Sequence, residues 1–228
     1  MMPWRSAWSI GGLLVLLSAG RVVAPVQADQ LEVTFIGNMA FRVTDGQTTL
    51  LTDFPYRSGA SGAMEYRLEN VAPIADGVTL ITHDAPDHWD PALFRKLSLK
   101  VIAPPAVTKG LPAERVVAWG DRMTYKDIGI QPIISPRAAG HVAYLVVWHG
   151  VRLFFSGDTE DLQVVTGQSK LDALFVTPWI IRNLLASGAT LDAELLVVCH
   201  HQPGEDVPQL PRMMLPHQGD TFRIDTRE

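Results

Sequence analysis

The stretch that decides the reading is Leu80-Ile81-Thr82-His83-Asp84-Ala85-Pro86-Asp87-His88-Trp89-Asp90. An apolar run, Val78–Thr82, reads as a strand and ends at its left edge. Four ionisable side chains follow on a short loop: His83, Asp84, Asp87 and His88. A helix starts directly afterwards, over Asp90–Leu97, with Asp90 as the N-cap and Pro91 as the first helical residue. Metal sites need imidazoles and carboxylates gathered on a loop that rigid elements hold. A helix start that collects acids at its positive end would explain part of the same pattern. Taken alone, the stretch leaves both readings open.

Outward from this loop, several more segments read as strands: Leu31–Ile36, Ala40–Thr44, Thr48–Thr52, Val116–Trp119, Ile128–Ile134, Val142–Trp148, Val151–Phe155, Ala173–Val176 and Glu194–Cys199. They are rich in Val, Ile, Leu and Phe and are punctuated by Gly, Asp, Asn or Pro. Asp45-Gly46 and His149-Gly150 lie between paired apolar runs, the signal of a tight hairpin. Asp161–Thr166 and Pro178–Ala186 are further helix candidates. The order is hairpin strands, then alternating strand and helix, then a second hairpin, so mixed sheets with helices outside them are expected.

The chain has 228 residues, enough for one domain with a sizeable core. Apolar residues make up 47% and charged residues 19%, an ordinary globular balance. The formal net charge of −5 excludes a broad basic surface for nucleic acid. The single cysteine, Cys199, excludes an internal disulfide framework and reads as a small buried residue. Residues 1–28 stand apart: Arg5 supplies charge, Ala7–Ala19 is apolar or small, and Val26-Gln27-Ala28 offers a cleavage site. That is the pattern of a secretory signal, too short and glycine-broken for a comfortable membrane span. Its removal takes Lys plus Arg from 19 to 17 against 24 acids, a mature net charge of −7. Residues 29–228 are then one periplasmic or secreted domain without stable membrane association.

Together the pieces resemble the metallo-β-lactamase superfamily, which places HxHxDH after a strand. Here the loop reads His83-Asp84-Ala85-Pro86-Asp87-His88, with alanine at one histidine of that pattern. Leu31–Asn38 is similar to the family's opening strand and glycine turn, and Leu50-Leu51-Thr52-Asp53-Phe54-Pro55 to its "leu-ile-asp-pro" segment. Ser156-Gly157-Asp158-Thr159 matches its GDT motif, and Leu196–His201 its late strand ending in a histidine. The resemblance spans about residues 31 to 205. It is strongest to the compact lactonase-like hydrolases and implies an α+β fold, a four-layer αββα sandwich.

The resemblance also implies a ligand set. At the first metal position His83 matches one histidine, Ala85 stands where the second would be, and Arg137 falls where the third would be. His141 is a substitute the family does not predict. At the second position Asp87, His88 and Asp158 match, with His201 or His200 as the last ligand. Neighbours at a strand end point to opposite faces, and His201 is preferred. Two acids and two imidazoles suit one divalent ion, zinc first, with manganese or iron as alternatives. The implied activity is hydrolysis by metal-bound hydroxide of an ester, lactone, amide or phosphodiester bond in a small-molecule substrate. His83, Asp84 and Arg137 are the candidate catalytic side chains: a proton shuttle, a base or orienting group, and a fixed charge replacing the lost metal. Trp89 and Trp179 flank the site; His149 and His217 are expected to be exposed. The alternative is a non-catalytic descendant of the fold that binds a ligand or partner, which the losses at Ala85 and Arg137 favour. The chain has no G-x-S-x-G elbow and no P-loop signature.

Overall fold

Period-two alternation in the strands sorts their side chains onto two faces, and both faces are buried in most of them. In a computed structural model, which describes residues 29–71, 74, 76–134, 140–202 and 204–227, those strands build two mixed sheets. The expected leader, residues 1–28, and Arg137 lie outside the described residues. The strands are β1 (Gln30–Gly37), β2 (Ala40–Thr44), β3 (Thr49–Thr52), β4 (Gly77–Leu80), β5 (Lys100–Ile102), β6 (Met123–Tyr125) and β7 (Ile128–Ile134). They continue with β8 (Val142–Trp148), β9 (Val151–Phe155), β10 (Leu171–Val176), β11 (Ala193–Val198), β12 (Met213–Met214) and β13 (Thr221–Asp225). The helices are α1 (Pro91–Phe94), α2 (Pro105–Thr108), α3 (Leu162–Thr166) and α4 (Pro178–Ser187).

One sheet has the order β13-β1-β2-β3-β4-β5 and the other β12-β11-β10-β9-β8-β7-β6. Leu31, Val33 and Phe35 of β1 face Tyr144, Val146 and Trp148 of β8 across a central core, joined by Phe175 and Val197. The opposite faces carry two outer cores. Leu51, Ile81 and Val101 pack under Phe94 of α1 and Val107 of α2. Leu174, Val176 and Val198 pack under Val165 of α3 and Ile180, Ile181 and Leu184 of α4. Helix, sheet, sheet, helix is the αββα order expected from the sequence. β3 and β4 run parallel, as do β9, β10 and β11. Their C-terminal ends therefore gather at one rim of the sandwich.

Local chemistry explains most boundaries. Asp90 caps α1 by accepting from Ala92 N (2.9 Å) and Leu93 N (3.0 Å). The helix is shorter than Asp90–Leu97, because Lys96 N and Leu97 N bond three residues back and tighten the chain into a turn. His149 (φ 47°) and Gly150 (φ 76°) are both left-handed, as a two-residue hairpin turn requires. His149 is exposed, as expected, and its Nε2 lies 3.1 Å from Asp45 Oδ2 and 3.3 Å from Asp127 Oδ2, tying hairpin turns of the two sheets together. His217 is exposed, as expected. Val116–Trp119 does not form the expected strand. A 3₁₀ turn over Ala113–Arg115 leaves Val116 one bridge, to Val101 of the short edge strand β5. β5, β6, β12 and β13 were not expected; short or lying at a sheet edge, they carry weak apolar signals.

Phe175 is the residue through which the layers meet. Its ring stacks on Phe155 at 4.3 Å and meets Phe41 of the other sheet edge-on at 4.7 Å. Phe175→Ala is expected to lower unfolding free energy by about 3–5 kcal/mol, measured by urea denaturation. A loss under about 1 kcal/mol would mean the sheets are not held together there.

Candidate metal centre

At the gathered rim, four side chains from three chain segments converge. Asp87 and His88 come from the loop after β4, Asp158 from the turn after β9, and His200 from the end of β11. One ligand atom of each lies within 4.8 Å of all the others. His88 Nε2 is 3.1 Å from Asp158 Oδ2 and 3.6 Å from Asp87 Oδ2. His200 Nε2 is 3.4 Å from Asp87 Oδ2 and 3.5 Å from Asp158 Oδ2. A tetrahedron with metal–ligand bonds of about 2.0–2.1 Å has edges of about 3.4 Å, so the spacing is that of a coordination shell. His200 Nε2 and the other oxygen of Asp158, Oδ1, are buried with no hydrogen-bond partner. Such atoms are costly unless a ligand meets them, and a divalent cation meets both. The residues present fit one metal ion.

A buried layer holds the quartet in place. Asp53, left-handed at φ 43° just beyond β3, accepts from Thr82 N (2.8 Å) and from Thr82 Oγ1. Its Oδ2 lies 3.0 Å from His88 Nδ1. His88 therefore donates Nδ1–H to Asp53 and turns Nε2 to the cluster, the arrangement in which a second carboxylate orients a ligand imidazole. Asn38 Nδ2 donates to Asp87 O (2.7 Å), and His200 N donates to Asn38 O (2.8 Å). Trp179, at the start of α4, meets the His200 ring edge-on at 5.3 Å and donates Nε1 to Thr159 O. Trp89 packs instead beneath α1 against Phe94.

The structure does not bring His201 to the cluster; His200 is there instead. Val197 and Cys199 face the central core, so strict alternation would send His201 the same way. The backbone breaks that alternation at His200, whose φ is +58°. The turn swings the His200 ring to the rim and leaves His201 stacked on Phe35, with Nε2 3.1 Å from Pro216 O. Cys199 is buried in the core. Asp84 is exposed and stands outside the cluster. Asp53 was missed as a site residue, although it sits in a segment singled out by resemblance.

What would be the first metal position is differently furnished. His83 Nδ1 is tied to Thr82 Oγ1 at 3.0 Å. Since that hydroxyl donates to Asp53, His83 holds its proton on Nδ1 and keeps Nε2 free. His141 does not offer itself as a ligand, because its Nε2 accepts from Asp158 N (2.9 Å). Burial and then the neighbouring His83 push its pKa down to about 4 and keep it neutral. Gly157 (φ 55°) makes room for this ring: a Cβ there would overlap His141 Nε2 and lie 2.9 Å from Thr82 Cγ2.

Burial opposes charge on His88 and His200, but carboxylates outweigh it. Asp53 and Asp158 lift His88 to about 10, and Asp158 and Asp87 lift His200 to about 9. Burial likewise opposes charge on Asp158, and His200 and His88 outweigh it, holding its carboxyl far below the usual range. In the metal-free protein both imidazoles are thus protonated at pH 7, and their pairing stabilises the fold. Because the folded pKa values are raised, that stabilisation is full below the ordinary value of 6.5 and is lost as pH rises through 9 to 10. A cation must displace these protons. Metal uptake at pH 7 is expected to release about two protons, with affinity climbing toward pH 9, read by titration calorimetry in buffers of different ionisation enthalpy. Uptake without proton release would contradict the protonated pair.

No family model and no curated protein matches the sequence. Solved structures do. Igni18, a novel metallo hydrolase from the hyperthermophilic archaeon Ignicoccus hospitalis, is similar over 87% of this chain and 100% of its own, with 16% identity and a TM-score of 0.65. YhfI from Bacillus subtilis, a metallo-β-lactamase fold protein, is similar over 86% of this chain and 99% of its own, with 13% identity and a TM-score of 0.60. At such identities the likeness is one of architecture. With two face-to-face mixed sheets, helices outside both, and a histidine–aspartate cluster at the strand tips, the chain has the metallo-β-lactamase fold.

Proposed function

We propose that this chain is a hydrolase that uses one divalent ion, zinc first with manganese or iron as alternatives, held by Asp87, His88, Asp158 and His200. The observation that carries this reading is the quartet spaced as a coordination shell, with His200 Nε2 and Asp158 Oδ1 buried and without a hydrogen-bond partner. The neighbour Igni18 is itself a metallo hydrolase. When bound, the ion supplies Lewis acidity at neutral pH toward water and toward a carbonyl or phosphoryl oxygen. The bond cleaved is an ester, lactone, amide or phosphodiester in a small molecule, and the leader-like residues 1–28 put the reaction in the periplasm or outside the cell.

The chain's own groups have separable tasks. Asp53 fixes the His88 ring so that its Nε2 lone pair meets the ion. His83, held through Nδ1 by Thr82, keeps Nε2 free to take a proton from one reacting oxygen and return it to another. Trp179 braces His200 and supplies an apolar wall. A single ion follows from Ala85, which offers no ligand atom, and from His141, whose lone pair is committed to Asp158 N. The same losses favour the second reading, a non-catalytic binding module.

Metal analysis of protein purified without chelator separates the two. About one equivalent of metal is expected, lost in Asp87→Ala and His200→Ala and retained in His201→Ala. His83→Ala should keep the metal yet lower turnover of a generic ester or lactone by about 10²–10⁴-fold. Absence of metal in a folded protein that chelator leaves unchanged would overturn the hydrolase and favour the binding module.

A further inference from the structure

The outer face of the first sheet is unequally covered. Helices α1 and α2 lie over the β3–β4–β5 side, where the residues beneath are apolar. On the β13–β1–β2 side the outward residues include the polar Glu32, Thr34, Arg42, Thr221 and Arg223 beside the apolar Ile36. The segment Glu65–Val71 stands opposite them, and between the two is a cleft of about 620 Å³. That volume is in the range of small-molecule sites.

Arg42 lies on the floor of this cleft, and its Nε is buried without a hydrogen-bond partner. Its Nη1 is 3.9 Å from Glu32 Oε1, too far for a hydrogen bond. Glu32 is already engaged on its other oxygen by Arg223 Nη2 at 3.3 Å. One carboxylate thus serves two guanidiniums. Burial lowers the pKa of Arg42, and Glu32 offsets this in part. Arg67, exposed on the facing wall, has no ion pair among the described residues. The carboxylate of Glu65 does not fill the gap; a Cβ on Gly59 would lie 3.4 Å from its Oε1, so it rests against that turn.

A half-buried guanidinium with an unmet donor at Nε favours an anionic oxygen pair, to which arginine binds through two parallel hydrogen bonds. Arg42 and Arg67 line the cleft; of its two carboxylates, Glu32 is shared with Arg223 outside the lining and Glu65 rests against the Gly59 turn. We propose that this cleft binds a small organic anion, its phosphate or carboxylate group seated between Arg42 and Arg67. The site is separate from the metal centre: none of the four metal-binding residues lines the cleft.

The test uses isotope-labelled full-length protein and the backbone amide signals of Thr34, Arg42, Gly219 and Thr221. Citrate and fructose 1,6-bisphosphate are titrated, with fructose as the neutral control. Saturable shifts at these amides are expected with one or both anions and not with fructose. A response to citrate alone assigns the carboxylate, and to the bisphosphate alone the phosphate. Arg67→Ala, at an exposed position that the fold does not need, and Arg42→Gln should each weaken binding about tenfold or more. Three outcomes would overturn the proposal: no saturable shift at these amides at about 10 mM anion, the same affinity in Arg67→Ala, or shifts confined to Thr82–His88. The last would mean that the anion reaches the metal loop alone.

Discussion

Everything at the metal rim leans on one buried carboxylate. Asp53 is 1% exposed, and among the described residues no lysine or arginine forms an ion pair with it. Burying such a charge costs several kcal/mol unless donors replace the lost water. Here the donors are Thr82 N, Thr82 Oγ1 and the Nδ1–H of His88. The compensation propagates. Because Thr82 donates its proton to Asp53, its oxygen is left to accept from His83; because His88 gives Nδ1–H to Asp53, its other nitrogen is left for the cluster. One carboxylate thereby sets the tautomers of two imidazoles and the orientation of the loop between β4 and α1.

The backbone carries the other half of this arrangement. Asn38, Asp53 and His200 all have left-handed conformations, with φ of 55°, 43° and 58°. Side-chain-bearing residues adopt that region at a cost, and persist there when their surroundings over-determine them. Each is pinned: Asn38 through Asp87 O and His200 N, Asp53 through Leu80 O, His200 through Asn38 O. Three strained positions on three segments, all touching the metal cluster, mark this rim as the place where the fold gives up conformational ease for side-chain placement.

This division explains what could be read in advance. β2, β7, β8 and β9 were legible to the residue, because period-two patterning is continuous there and turn residues bound it. Asp87, His88 and Asp158 were legible because each follows a buried strand that ends abruptly in polar residues. His200 was not, since alternation presumes an extended chain and a single positive φ reverses it. The role of Asp53 was hidden for a related reason: nothing in Leu51-Thr52-Asp53-Phe54 says whether the carboxylate points outward or beneath a loop 35 residues away along the chain. Edge strands such as β13 stayed hidden because they contribute one weakly apolar face. The unmet donors of Arg42 arise from how one glutamate is shared across three strands, which no local pattern encodes.

The pairing of β13 with β1 brings the two ends of the described chain together. Thr226 N donates to Asp29 O, and Arg227 N donates to His149 O, on the turn opposite the metal rim. Asp29 and Arg227 therefore sit side by side at the end of the sandwich away from the cluster. The adjacency of the ends also makes the fold a natural subject for circular permutation, with new termini opened in a surface turn away from that cluster.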